Sequence, residues 1–190
     1  MRVISGMVGG RKLRSPEGEA VRPTTDQVKE AIFNIIQFDL EGRRVLDLFA
    51  GSGQMGIEAL SRGAREAVFT DSSRVSAALV RENLRLCGLP GKVLQTDALQ
   101  YLQKGEKFDI IFIDPPYDAG LYEAVLTRIN AVDNLTEGGI MVCEMRAGTP
   151  LPQLRAPYRL LREKRYGRVA IALFTRDADS GIAGIETMED

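Results

Sequence analysis

Asp114-Pro115-Pro116-Tyr117 follows the apolar run Asp109-Ile110-Ile111-Phe112-Ile113, and its residue types suit one kind of chemistry. An amino group on an aromatic base is a poor nucleophile because its lone pair is delocalised into the ring. A carboxylate at Asp114 and the carbonyl of Pro115 could each accept one N–H, drawing the nitrogen toward tetrahedral geometry and fixing its direction of attack. Pro115 and Pro116 cannot continue a strand ladder, so they stop the strand and stiffen the loop. Tyr117 offers a flat face on which an extruded base could stack. Such a site needs neither metal nor imidazole, and the chain contains no histidine. In isolation the same four residues could be an ordinary rigid turn.

A second cluster precedes it. Val45-Leu46-Asp47-Leu48-Phe49 runs into Ala50-Gly51-Ser52-Gly53-Gln54-Met55-Gly56, a GxGxxG between an apolar strand pattern and a helical one. Glycines there let the chain turn sharply and let a ligand approach the backbone. Asp71 ends the next β-type run, 20 positions after Gly51, where a carboxylate can accept both hydroxyls of a ribose. The spacing alone does not separate a dinucleotide from S-adenosylmethionine. Asp47 beneath the loop and Asp97-Ala98 after the third strand, where a carboxylate could accept from an adenine amino group, suit S-adenosyl-L-methionine. Asp97 would serve equally as a helix N-cap.

These residues need a frame that gathers strand ends. Short β-type runs at 44–49, 67–71, 92–96, 108–113 and 140–145 alternate with helical stretches near 55–62, 74–87 and 120–132. That alternation predicts a doubly wound, Rossmann-like α/β fold with a mostly parallel sheet, because parallel strands require crossover connections. Ligands bind such sheets at the carboxyl ends of their strands. Thr24-Thr25-Asp26-Gln27 fits a capping box and opens a helix over about 25–38, and Gly63 and Gly88 stand where helix C-caps belong. Two β-type segments, 158–165 and 168–175, meet at Tyr166-Gly167 without room for a helix and predict an antiparallel hairpin. One domain over residues 1–176 is expected, with 177–190 a frayed acidic tail.

Composition narrows the setting. No run approaches the roughly 18 apolar residues of a membrane span, and the first residues lack a secretory pattern, so a cytoplasmic protein without membrane attachment is expected. Cys87 and Cys143 form no CxxC, which predicts two reduced core thiols and no metal site. The chain holds 25 basic and 26 acidic residues, but five acids and no base fall within 177–190, leaving a body of net +4. Basic residues cluster in 1–16 (Arg2, Arg11, Lys12, Arg14) and in 155–168, which makes both segments candidate RNA-facing patches. Plain solvated surface would look the same.

The DPPY loop, Asp47-Leu48-Phe49-Ala50-Gly51-Ser52-Gly53 and Arg22-Pro23-Thr24-Thr25-Asp26 together resemble the bacterial family that methylates guanine N2 of small-subunit ribosomal RNA, over roughly residues 1–176. The opening, Arg2-Val3-Ile4-Ser5-Gly6 through Gly10-Arg11-Lys12-Leu13, is similar to that family's short N-terminal hairpin extension, within residues 1–20, which helps hold the RNA. The resemblance implies a class I S-adenosylmethionine-dependent methyltransferase fold and a monomer acting on small-subunit (16S) rRNA, naked or within a 30S particle or assembly intermediate. It implies that Arg22, Thr24 and Phe33 line the cofactor's methionine end and the base entrance. Where the family commonly has Glu at the end of the second strand, this chain has Asp71. Three other readings compete: a DNA adenine-N6 methyltransferase, a nicotinamide-dependent oxidoreductase, and an RNA-binding assembly factor without chemistry.

Overall fold

The computed structural model describes residues 1–15, 26–116 and 120–178. Its centre is a seven-stranded sheet in the order β3-β2-β1-β4-β5-β7-β6. Strands β1 (Arg44–Asp47), β2 (Glu66–Asp71), β3 (Lys92–Gln95), β4 (Phe108–Ile113) and β5 (Leu135–Arg146) are mutually parallel. Strands β6 (Tyr158–Tyr166) and β7 (Val169–Arg176) form the expected hairpin, with β7 antiparallel to β5 and β6 at the edge. Order reverses between β1 and β4, which makes their carboxyl ends the switch point where a crevice opens.

Burial of both sheet faces explains the continuous apolar strands. Ile110 and Phe112 of β4 face one layer, packed with α1 (Asp26–Ile35), α2 (Gln54–Ser61) and α3 (Arg74–Cys87). Ile111 and Ile113 face the other, under α4 (Ala98–Leu102) and α5 (Leu121–Val132). Helix α3 shows the local logic. Ser73 caps its first turn by accepting the Ser76 N–H, Ala77, Val80, Leu84 and Cys87 turn inward at helical spacing, and Gly88 ends it in the left-handed conformation. Both cysteines are free and buried.

The first 13 residues fold back as a small antiparallel hairpin. Arg2 bridges Lys12, and Val3 N–H donates to the Arg11 carbonyl at 2.9 Å. Gly6 lies at its closest contact with α2, where φ is +84° and a Cβ would come within 1.9 Å of the Ser61 carbonyl oxygen, so only glycine fits.

Several boundaries differ from expectation. Helix α1 stops at Ile35 and tightens into a 3₁₀ turn over Gln37–Asp39. Strand β5 begins five residues early, and α4 is too short to show a helical period. Asp177, expected in the tail, belongs to the folded body: its N–H donates to the Pro157 carbonyl at 2.8 Å and its carboxylate pairs with Arg159. The capping threonines and residues 179–190 lie outside the described residues. Among the described residues no helix is long and apolar enough to cross a membrane.

Candidate active site at the carboxyl edge of the sheet

Strands β2, β1 and β4 deliver Asp71, Asp47 and Asp114 to one edge. Asp47 ends β1, opposite Phe69 of β2 and Phe112 of β4 in register, and Asp114 follows Ile113 at the end of β4. The Leu48 N–H donates to the Phe112 carbonyl at 3.1 Å and the Ala50 N–H to the Thr70 carbonyl at 2.9 Å, so the loop after β1 is stitched to both neighbours.

The glycine loop is held from below by carboxylates. Asp71 accepts the Gly51 N–H at 2.9 Å through Oδ2 and the Ser73 N–H at 2.8 Å through Oδ1, so it shapes the loop while retaining lone pairs for a ligand. Asp47 accepts the Gly56 N–H at 2.9 Å at the start of α2. Gly51 and Gly53 have φ of +53° and +79°. A Cβ on Gly51 would meet nothing within 4 Å, so its backbone faces open space on the side where a ligand can approach. Gly56 is required for another reason: a Cβ there would lie 2.3 Å from the Phe69 ring, which fixes how closely α2 rests on β2. Ser52 is buried, and its hydroxyl lies 3.2 Å from the Met1 thioether.

Asp47 is electrostatically unusual. It is buried, and no lysine or arginine pairs with it among the described residues. Burial pushes its carboxyl up to about 7; the Gly56 N–H opposes the rise and Asp71 adds to it. A buried carboxylate without a cation favours a cationic ligand, which is the observation that a sulfonium- and ammonium-bearing cofactor fits.

The remaining expected residues are distributed as follows. Asp97 caps α4, its Oδ1 accepting the Gln100 N–H at 3.0 Å, and Ala98 is buried behind it. Asp114 is half-buried, Pro115 buried and Pro116 exposed. Arg11 and Lys12 are exposed on the hairpin; Arg2 pairs with Asp26 at 3.5 Å and Arg14 with Glu82 at 3.0 Å, both at the surface. Phe33 is completely buried, its ring 5.6 Å from that of Phe112 at a tilt of 48° with the Arg62 guanidinium over it, because α1 turns this position into the core. Arg22, Thr24 and Tyr117 lie outside the described residues.

Three positions in this region escaped the sequence reading. Glu58 and Lys29 are fully buried, 3.4 Å apart. Glu58 also accepts the Ile4 and Ser5 N–H groups at 2.7 and 3.0 Å and pairs with Arg62, while Lys29 donates to the Arg2 carbonyl. Asn83 works similarly: it accepts the Arg14 N–H and donates to the carbonyls of Arg14 and Ser52, tying the hairpin's exit to the glycine loop.

With this geometry established, comparison with known proteins is specific. Residues 1–175 match the family described as Conserved hypothetical protein 95. The chain belongs to that family. It is 40% identical to YlbH of Bacillus subtilis (strain 168), across 93% of this chain and 99% of that protein. It is 37% identical to Ribosomal RNA small subunit methyltransferase D of Escherichia coli (strain K12), across 94% of this chain and 91% of that protein. The solved structure of yhhF from Escherichia coli superposes with a TM-score of 0.84 at 37% identity, covering 94% of this chain and 98% of that one. More distantly, a Thermus thermophilus 16S rRNA N2 G1207 methyltransferase shares the fold at a TM-score of 0.67 and 22% identity, over 85% of this chain and 45% of that one. The fold of this family is that of class I methyltransferases: the mostly parallel sheet ending in an antiparallel hairpin seen here.

Proposed function

We propose that this protein transfers a methyl group from S-adenosyl-L-methionine to the exocyclic N2 amine of a guanine in small-subunit rRNA. The observation that carries this reading is the position of Asp114-Pro115 at the carboxyl end of β4, across the β1/β4 switch point from the glycine loop. The 37% identity to a small-subunit rRNA methyltransferase over nearly the whole chain supports it.

The cofactor supplies an electrophilic methyl group on a sulfonium sulfur. Asp47, Gly51, Ser52 and Gly53 would hold it at the loop, Asp71 would accept its ribose hydroxyls, and Asp97 with Ala98 would border its adenine. Asp114 and the Pro115 carbonyl accept the two N–H bonds of the target amine, so that its lone pair points along the line of transfer. As nitrogen gains the methyl it sheds one proton, which Asp114 takes and passes to water. Tyr117 stacks the extruded base, and Arg22 and Thr24 border the methionine end. Arg2, Arg11, Lys12 and Arg14 on the N-terminal hairpin bind RNA phosphates. The chain acts as a cytoplasmic monomer on small-subunit rRNA, naked or within a 30S particle or assembly intermediate.

Asp114→Ala tests the chemistry. It should keep S-adenosylhomocysteine affinity by calorimetry while tritium transfer to small-subunit particles falls at least a hundredfold, the range of a lost positioned acid–base group. Unchanged turnover would sink the mechanism. Nucleoside mass spectrometry of rRNA and DNA from a deletion strain checks the base: loss of N2-methylguanine supports the reading, and loss of N6-methyladenine from DNA replaces it.

A further inference from the structure

Edge strand β6 and helix α1 border an open groove of about 630 Å³, a size that holds a nucleotide-scale group. Its lining combines the apolar Ile35, Leu161 and Leu173 with Arg162, Lys164 and Tyr166. The register explains how these residues share one face. Arg162, Lys164 and Tyr166 stand opposite Leu173, Ile171 and Val169, which all face the α1 layer. The pairing shifts between Leu160 and Arg162, so the consecutive residues Leu161 and Arg162 both line the groove, which strict alternation would prevent.

The groove also points somewhere. Tyr166 pairs with Val169 and Val169 with Arg146, so the β6 end bearing Tyr166 lies at the carboxyl edge of the sheet, the edge that carries Asp114. Among the described residues Arg162 and Lys164 have no carboxylate partner, whereas Arg159 and Arg165 on the same strand do. Charged residues on an edge strand guard against unwanted pairing. That explanation needs no apolar side chains beside the cations and no aromatic ring at the active-site end. A second copy of the chain would fit poorly, because edge-to-edge pairing would set arginines and lysines against one another.

We propose that this groove holds a single-stranded segment of the RNA substrate, with phosphates on Arg162 and Lys164 and a base against Tyr166 and the apolar lining. The assignment rests on the rRNA reading above and extends it by naming the track that leads RNA from the sheet edge toward Asp114. Cationic rims with stacking surfaces suit single strands, whose unpaired bases expose a π-face.

The test uses full-length protein carrying Arg162→Ala with Lys164→Ala, and a charge-conserving pair, Arg162→Lys with Lys164→Arg. Filter binding of small-subunit rRNA is measured across about 0.05 to 0.3 M KCl, with methyl-transfer kinetics and S-adenosylhomocysteine calorimetry alongside. The alanine pair should bind RNA on the order of tenfold more weakly near 0.1 M salt and lose roughly 1 to 1.5 from the salt slope, as for two lost phosphate contacts. KM for RNA should rise similarly, while kcat and cofactor affinity stay within about twofold of the parent. The charge-conserving pair should restore slope and KM. If the parent methylates rRNA and the alanine pair matches it in slope and KM, the groove assignment is overturned; so it is if the alanine pair instead dissolves a dimer in sedimentation velocity. A parent that binds RNA through this groove but transfers no methyl to it overturns the proposed function and leaves the groove standing.

Discussion

Asp47 must be buried to hold the start of α2, yet it must carry charge if it is to face a cationic ligand. With its carboxyl pushed to about 7 by burial, the ligand-free folded chain keeps a proton between about pH 4 and 7 that the unfolded chain has released. Folding stability from this group is therefore greatest below about pH 4, declines as pH rises through 7, and flattens above. The total is on the order of 4 kcal/mol for a shift of about three units. Asp47→Asn keeps an acceptor for the Gly56 N–H and removes the titration. In urea unfolding of ligand-free protein from pH 5 to 8, the stability of Asp47→Asn relative to the parent should climb with pH. Parallel curves would show that Asp47 does not titrate in this window. Asp47, Gly51, Gly53 and Asp114 were visible in the sequence because each belongs to a contiguous motif whose spacing encodes its own local geometry. The surroundings of Phe33 were not legible, because they are set by α1 packing on Phe112, a contact between residues far apart in the chain.

Between elements, the N-terminal hairpin is joined to the body by Val3 and Leu13, both buried in the core, and by a charged latch. Glu58 receives two hairpin amides and two cations, and Lys29, its fully buried partner, has its pKa lowered by burial even though Glu58 pulls the other way. Removing the acid strands the base. Glu58→Ala should cost about 3 to 5 kcal/mol in urea unfolding, as for a buried pair broken on one side. Amide exchange at Ile4 and Ser5 should accelerate in the same variant; protected amides would mean the hairpin is held by other contacts. This latch was not legible in the sequence. Periodicity finds helices that are apolar on one face, but every residue of α2 is buried, so Glu58 disturbed no pattern. The strand–helix alternation and the β6–β7 hairpin were legible, because sheet periodicity and a turn without room for a helix are local signals. Helix α4, only five residues long, was not.

At the scale of the molecule, the sequence total of 25 basic and 26 acidic residues conceals a charge division. Asp177 belongs to the folded body through Arg159, so the acidic segment comprises Asp179, Glu186, Glu189 and Asp190, with no base among residues 179–190. Setting those four acids aside leaves 25 basic against 22 acidic residues, a body of net +3. A polyanionic substrate would meet attraction from the body and repulsion from the tail, and long-range charge acts on association more than on fold. Replacing Asp179 and Asp190 with Asn and Glu186 and Glu189 with Gln in the full-length chain should therefore leave the unfolding midpoint unchanged while raising rRNA affinity. The gain should be roughly threefold to tenfold near 0.05 M salt, where screening is weak. It should shrink to nothing above about 0.5 M, where the Debye length falls to a few ångströms. Titrating RNA binding of both chains across that salt range measures the difference directly. A salt-independent gain would implicate a specific tail contact instead of net charge, and no gain at any salt would mean that the tail's charge never reaches the RNA-binding face.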